Sequence, residues 1–168
     1  MSSTKLPPDV DIEGFTYSGD TVLGLVDVSH FPLTFDRKLG EPTEQYIHDF
    51  YAWRRACSLH AYKMGTVHIN VMDFNAWNVP KPTIRKLISE YSRQDLEEPG
   101  FCWQYLVITK AVMRGAITAI SWMRGDKSAY TFVATQEEAI TRAKKMYEER
   151  GLSAPDIDPS SFVFVHDR

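Results

Sequence analysis

The sequence predicts one α/β domain built on a mixed, mainly parallel sheet, with an N-terminal β-hairpin and about four helices. The chain has 168 residues, of which 43% are hydrophobic and 24% charged, a composition typical of a single globular domain. Short runs rich in β-branched residues alternate with longer runs in which apolar residues recur every three or four positions. Strands separated by helices pair in parallel through right-handed crossovers, which predicts the character of the sheet.

The N-terminal part of the chain predicts the hairpin. Residues 11–17 alternate apolar and polar side chains, residues 21–28 are rich in β-branched side chains, and the SGD sequence between them is typical of a turn. Residues 29–40 contain a proline and a glycine that interrupt regular patterns, so we expect irregular chain there.

Four helices and three further strands follow. The helices are predicted over residues 43–64, 82–96, 112–123 and 135–150, and the strands over residues 66–73, 101–108 and 129–133. Glu138 stands three positions after Thr135, the pattern of a capping box at a helix start. We expect residues 1–168 to form a single domain with its core in residues 11–151. Residues 152–168 are a tail whose SFVFV segment either adds an edge strand or covers the core.

Charge and motifs exclude several classes of protein. The formal net charge is −3, from 19 basic and 22 acidic residues, and the basic residues are scattered, which argues against nucleic-acid binding. The glycines form neither a P-loop nor a dinucleotide fingerprint, and the five histidines lack the spacing of a zinc site. We therefore expect no metal, no cofactor and no nucleic-acid partner.

The expected location is the cytoplasm. No stretch approaches the roughly 20 apolar residues that cross a bilayer, and residues 1–10 lack the apolar run of a signal peptide. Cys57 and Cys102 are then expected to be reduced, buried thiols rather than a disulfide.

Two carboxylates follow strong strands. Asp27 and Asp73 stand at the C-terminal ends of predicted strands, where open α/β sheets place ligands. They would serve as acid and base in an unrecognised small enzyme. The alternative, which we favour, is that each carboxylate caps the next loop or pairs with a basic residue.

The segment that leaves the Asp73 strand, residues 73–85, is the strongest candidate for a binding surface. It contains Asn75 and Trp77, turns through two prolines and begins a helix near Thr83. The free amides and the dipole of a helix start favour an anion or a phosphorylated hydroxyl, although Thr83 would otherwise simply cap the helix. Trp77 is either an exposed interface anchor or packs over the end of the core.

Basic residues surround this segment. Lys81 and Arg85 flank Thr83, and Lys110 and Arg114 follow the next predicted strand, so we expect them at the same edge of the sheet. The candidate residues for contact with a partner or a ligand are Asn75, Trp77, Lys81, Thr83, Arg85, Lys110 and Arg114.

Two local patterns carry a family resemblance. One is residues 67–73, VHINVMD, followed by a loop and a helix start. The other is residues 106–123, LVITKAVMRGAITAISWM, followed by a short strand and residues 134–143, ATQEEAITRA. Together with the order of elements over residues 15–150, these patterns resemble the STAS-like domains of the bacterial anti-sigma-factor antagonists and the related SpoIIAA-like proteins.

This resemblance implies a regulatory, protein-binding module. In the antagonists, a partner kinase phosphorylates a serine at the start of the helix that follows the aspartate strand. The matching residues 80–83 read PKPT here, without the familiar aspartate-serine pair, so Thr83 is the hydroxyl to which the resemblance assigns that role. The resemblance therefore implies a protein partner that docks around this helix start.

Two other functions stay open. SpoIIAA-like relatives include candidates for lipid or small-molecule binding, so the same sheet edge would hold a small molecule, a nucleotide or a lipid. The second is the enzyme hypothesis with Asp27 or Asp73. A homodimer would form if an edge strand near Phe15 or Phe162 paired with a second copy of the chain.

Overall fold

The structure is a computed structural model that describes residues 14–124 and 129–168. Within these residues the chain forms six β-strands, four α-helices and one short 3-10 helix. The strands are β1 Phe15–Tyr17, β2 Thr21–Asp27, β3 Leu33–Gly40, β4 His68–Trp77, β5 Phe101–Val107 and β6 Tyr130–Val133. The helices are α1 Glu44–Lys63, α2 Pro82–Asp95, α3 Ala111–Arg124 and α4 Gln136–Glu149, and the 3-10 helix is Val165–Asp167.

All six strands lie in one sheet whose spatial order is the chain order. β1, β2 and β3 pair in antiparallel fashion, whereas β3, β4, β5 and β6 pair in parallel. Each parallel pair is connected by a helix, α1, α2 or α3 in turn. The predicted class is confirmed: the fold is α/β, with a mixed sheet, an N-terminal hairpin and four helices in the described residues.

The sheet separates two apolar cores. The helix-side core lies under α1, α2 and α3, which contribute side chains such as Phe50, Ile88 and Ile117. The second core lies on the opposite face, where α4 contributes Tyr147 and the C-terminal tail contributes Phe164. Both faces of the central strands are therefore covered, as the parallel part of a sheet requires.

The expectation of irregular chain at residues 29–40 was wrong. Most of this segment is β3, which pairs with β2 on one side and β4 on the other. Leu33 and Phe35 enter the second core, while Asp36 and Lys38 are buried as well. A central strand is normally apolar on both faces. The charged side chains therefore masked the strand pattern.

β4 is also longer than predicted. It continues past Asp73 to Trp77, because β3 continues beside it and Gly40 pairs with Trp77 at the end of the ladder. Asn75 and Trp77 therefore belong to a strand and not to a loop.

The predictions for the start of α4, for the C-terminal tail and for the first strand have different outcomes. At α4, the Thr135 hydroxyl accepts a hydrogen bond from the Glu138 N–H at 3.1 Å, which confirms the predicted helix start. The SFVFV segment forms no strand in the described tail, and Phe164 is buried, so the tail covers the core. Residues 11–13 of the first predicted strand lie outside the described residues.

Two further expectations concern thiols and membranes. Cys57 on α1 is a buried free thiol, as expected, and burial raises its pKa to about 12. The side chain of Cys102 lies outside the described part of the structure. None of the helices in the described ranges combines the length and the hydrophobicity that a bilayer crossing needs.

Candidate functional site

The predicted binding edge lies where β4 and β5 end. The Asn75 side-chain oxygen accepts hydrogen bonds from the Thr109 N–H at 2.9 Å and from the Thr109 hydroxyl at 2.8 Å. The Asn75 amide nitrogen donates to the Asp73 carboxylate at 3.0 Å. Asn75 therefore connects the end of β4 to the loop between β5 and α3, and its contacts hold this edge of the sheet together.

The two carboxylates that were predicted at strand ends, Asp27 and Asp73, are engaged in local structure, and Asp73 lies inside β4 rather than at its end. Asp73 accepts a hydrogen bond from the Asn75 N–H at 2.9 Å and lies 3.7 Å from the Arg37 guanidinium group. Asp27 accepts hydrogen bonds from the backbone N–H groups of Ser29 and Val165, both at 3.0 Å. These contacts agree with the structural role that we favoured for both carboxylates.

The N-cap of α2 lies two residues before the predicted one, although the helix begins at Pro82 as expected. Lys81 is the N-cap and Pro82 is the first helical residue, so Thr83 is not the cap. The reason is that proline suits the first helical position, where its missing N–H is not needed. Thr83 is exposed in the first turn, and the Lys81 ammonium lies 2.7 Å from the Glu41 carboxylate.

The remaining predicted residues have different environments. Arg114 donates two hydrogen bonds to the Ile108 carbonyl, at 3.0 and 2.8 Å, and so caps the end of β5. Lys110 is exposed and Arg85 is half-buried. Trp77 is only 3% exposed, so it packs over the end of the core and is not a surface anchor. The predicted edge is therefore largely occupied by structural contacts.

A second region, which the sequence did not predict, lies between the sheet and α1, α2 and α3. It is a cavity of about 40 Å³, enough for roughly three water molecules. Most of its wall is apolar and comes from all three helices and from β4 and β5. The polar side chains on the wall include Lys38, Ser92, Gln104, Ser121 and Tyr130.

Lys38 is the central charged group of this cavity. Its ammonium group lies 3.1 Å from the Asp36 carboxylate and donates a hydrogen bond to the Tyr46 hydroxyl at 3.0 Å. It also lies 3.3 Å from the centre of the Phe50 ring, with the Trp77 ring centre at 5.7 Å. Burial lowers the pKa of Lys38 to about 8, although the nearby Asp36 carboxylate opposes the shift.

A second buried ion pair lies next to the first. Arg54 on α1 is fully buried; its Nε donates to the Asp95 carboxylate at 2.9 Å, and a terminal nitrogen donates to the Gln104 side-chain oxygen at 2.6 Å. Lys38 and Arg54 together balance the charges of Asp36 and Asp95. Burying four charges costs folding free energy that apolar residues of similar volume would not cost.

Trp77 supplies an unused donor at the same cavity. Its indole ring lines the wall, and its Nε1 is buried without a hydrogen-bond partner among the described residues. Buried N–H groups are nearly always paired, by protein atoms or by a bound molecule. The Trp77 N–H is therefore available to an acceptor that reaches it.

A buried serine and histidine also lie close together, but away from the cavity. The two ring nitrogens of His68 lie 3.1 Å from the Ser58 hydroxyl and 2.7 Å from the Thr34 hydroxyl. Ser58 and His68 are both at most 1% exposed, so no substrate can reach them. Burial also lowers the pKa of His68 to about 3, which keeps the ring neutral. This pair is part of the polar packing under α1.

Two sequence signals could have located Lys38 and the buried charges beside it. Asp36 and Lys38 are two positions apart, which places both side chains on one face of a strand. Arg54 interrupts the apolar stripe of α1, where a position facing the sheet is normally apolar. The two signals indicate one buried cluster only if residues 33–40 are recognised as a strand that packs under α1.

Comparison with known proteins identifies no relative of this chain. No protein-family model, no curated protein and no solved structure matches the chain. Within the part of the chain that the structure describes, no three His, Cys, Asp or Glu side chains group as metal ligands do.

Proposed function

We propose that the protein is a small-molecule-binding domain whose ligand occupies the cavity under α1, α2 and α3. The observation that carries this proposal is an apolar cavity bordered by a buried lysine, Lys38, and by the indole of Trp77, whose N–H has no hydrogen-bond partner among the described residues. A mostly apolar cavity with a few polar groups is the usual form of a ligand site. Buried ionisable groups with shifted pKa values are concentrated at such sites.

The charges of the cavity favour an uncharged ligand. The two buried cations and two buried anions already balance, so an added carboxylate would leave a net negative charge in an apolar environment. Burying an unpaired charge is strongly unfavourable. The ligand that fits is small, neutral and mostly apolar, and it carries an oxygen that accepts a hydrogen bond from Trp77.

Indole N–H resonances in an NMR spectrum test this proposal. The chain has four tryptophans, so ¹⁵N-labelled protein gives four such signals. We expect acetone or acetamide to shift the Trp77 signal selectively, and acetate to have a much smaller effect. The probes should raise the melting temperature of the protein by mass action.

Two tryptophan variants make the test specific. Trp77→Phe removes the donor and keeps an aromatic ring, and we expect at least a tenfold loss of acetone affinity, about 1.4 kcal/mol. Trp122→Phe is the matched control, because Trp122 is 79% exposed on α3 and does not line the cavity. An unshifted Trp77 signal at saturating probe concentrations would mean that the cavity holds only water.

A regulatory docking module is the second candidate function, as the STAS-like resemblance implies. The observation in its favour is that Thr83 is exposed in the first turn of α2, which contains no acidic residue and is preceded by Lys81. A phosphate there would lie near the positive end of the helix dipole.

Docking around Thr83 is tested by capture of a partner on immobilised protein. We expect Lys81→Glu, Thr83→Asp and Arg85→Glu each to change the amount of captured partner. Lys145→Glu on α4 is a charge-matched control on the other face of the sheet. Equal capture by all four variants would contradict this second candidate.

A further inference from the structure

The Lys38 amine has the surroundings of a reactive group rather than of a simple structural ion pair. It lies on the wall of a cavity, whereas Asp36 is next to it and is buried behind that wall. The Trp77 ring centre is 5.7 Å from the Lys38 nitrogen. The Lys38 amine and the Trp77 indole thus border one small apolar space, and the Asp36 carboxyl group lies behind the amine.

We infer that Lys38 forms a reversible imine with a small aldehyde or ketone in this cavity. The inference rests on the proposed function, because the cavity must first admit the carbonyl compound. A carbonyl group is uncharged, fits the available volume and offers an oxygen to the Trp77 N–H. It therefore meets each requirement that the cavity sets for its ligand.

The reaction balances without any oxidant or reductant. The neutral amine of Lys38 adds to the carbonyl carbon and forms a C–N bond; one nitrogen proton is accepted by the adjacent Asp36 carboxylate and passed on to the carbonyl oxygen, which becomes a hydroxyl group. The second nitrogen proton follows the same route to the hydroxyl group, the C–O bond breaks, water leaves, and Asp36 returns to its starting state. The products are the C=N bond and one water molecule, and addition of water reverses the sequence.

The surroundings of Lys38 act on its charge in both directions. Burial and the Arg54 guanidinium favour the neutral amine, while the Asp36 carboxylate favours the ammonium form. The Tyr46 hydroxyl and the Phe50 ring also contact the nitrogen. With a pKa of about 8, Lys38 holds roughly two hundred times more neutral amine at pH 7.5 than a lysine of ordinary pKa.

Reductive trapping tests the inference on the whole chain. The protein is treated with limiting acetaldehyde and sodium cyanoborohydride at pH 7.5, and the ethylated lysines are quantified by peptide mapping. Lys110 and Lys145 are the exposed reference lysines within the same molecule. We expect Lys38 to be modified at least roughly ten times faster than either reference, since its neutral fraction is larger.

The pH dependence separates this reaction from general lysine labelling. The rate of imine formation at Lys38 should level off above about pH 8, where its amine is largely neutral. Trp77→Phe should slow labelling of Lys38 alone, and Trp122→Phe should leave every rate unchanged. Labelling of Lys38 that is no faster than that of Lys110 overturns the inference.

The outcomes distinguish this inference from the proposed function. If acetone shifts the Trp77 indole signal but acetaldehyde does not label Lys38 selectively, the cavity binds neutral molecules and the imine is excluded. If neither effect occurs, both proposals fail. Because wild-type protein supplies these results, they do not depend on the folding of a Lys38 variant.

Discussion

At the scale of single residues, the buried charges set the chemistry of the helix-side core. Arg54 and Lys38 are the two cations in a layer that is otherwise largely aromatic and aliphatic. Each cation has an acidic partner within hydrogen-bonding or ion-pairing distance, Asp95 for Arg54 and Asp36 for Lys38. Removing one member of either pair therefore leaves a buried charge without a partner.

Replacement of Arg54 tests the cost of such an orphaned charge. We expect Arg54→Met to lower the free energy of unfolding by about 3–5 kcal/mol, because Asp95 then stays buried without its partner. Urea denaturation measures this change. The adjacent Arg55 is the control, since its ion pair with Glu98 is partly exposed and Arg55→Met should cost less than about 1 kcal/mol. Equal losses for the two variants would contradict the role assigned to Arg54.

The lowered pKa of His68 makes the free energy of unfolding depend on pH. Burial lowers its pKa to about 3 in the folded protein, while histidine in an unfolded chain has a pKa near 6.5. Below about pH 6.5 the unfolded chain therefore binds a proton that the folded chain does not, and stability falls as the pH drops towards about 3. The slope is at most about 1.4 kcal/mol per pH unit.

Urea denaturation of His68→Asn between pH 7 and pH 4 checks this dependence. The variant will be less stable at pH 7, since it disturbs the Ser58 and Thr34 contacts, but its stability should change less steeply with pH. His48→Asn, at an exposed position, provides the matched control. A His68→Asn slope as steep as that of the wild type would show that His68 is not protonated on unfolding.

At the scale of elements, the C-terminal tail completes the second face of the sheet. The Val165 N–H donates to the Asp27 carboxylate at 3.0 Å, and the Arg37 guanidinium donates two hydrogen bonds to Asp167, at 2.8 and 2.7 Å. Phe162 stacks on Phe35 with ring centres 4.3 Å apart. The tail thus binds β2 and β3 directly, as a packed element of the second core.

Truncation of Phe164 tests this packing. Its ring is 2% exposed, so we expect Phe164→Ala to lower the free energy of unfolding by about 3–5 kcal/mol. The variant should also be cleaved faster by proteases in its tail. Val163→Ala, at a neighbouring side chain that is 46% exposed, should cost less than about 1 kcal/mol. A small loss at Phe164 would mean that the tail is only loosely attached.

At the scale of the whole molecule, the two faces of the sheet are covered by different elements. α1, α2 and α3 surround the cavity, while α4 and the tail close the opposite face. Three separate helices border the cavity. A molecule bound there consequently contacts elements that are far apart in the sequence.

Hydrogen exchange reports this division. We expect acetone at saturating concentration to slow amide exchange in α1, α2 and α3 more than in α4, because binding suppresses local opening of the elements around the ligand. Mass spectrometry of peptides from each helix measures the effect. Protection confined to α4 and the tail would contradict binding in the helix-side cavity.

Patterns of neighbouring residues were sufficient to predict those elements that depend mainly on contacts between residues close in the chain. The Thr135 cap, the four helices and most strands follow from periodicity and capping patterns that extend over a few residues. β3 was missed because its charged side chains, Asp36 and Lys38, are buried as an ion pair, whereas local patterns place charged side chains on the surface. The predicted cap of α2, Thr83, was two positions too late, because Pro82 takes the first helical position and leaves the cap to Lys81.

The α/β class, the hairpin and the helices follow from the residue pattern alone, as do the two alternatives for the tail, which either extends the sheet or covers the core. The burial of Trp77, the central position of β3 and the contact of Lys38 with a cavity became visible only in the folded molecule. The contacts of Arg54 explain why, since its partners Asp95 and Gln104 are 41 and 50 positions away in the chain. Burial and charge pairing over such distances depend on how the elements pack, which a local pattern of residues does not encode.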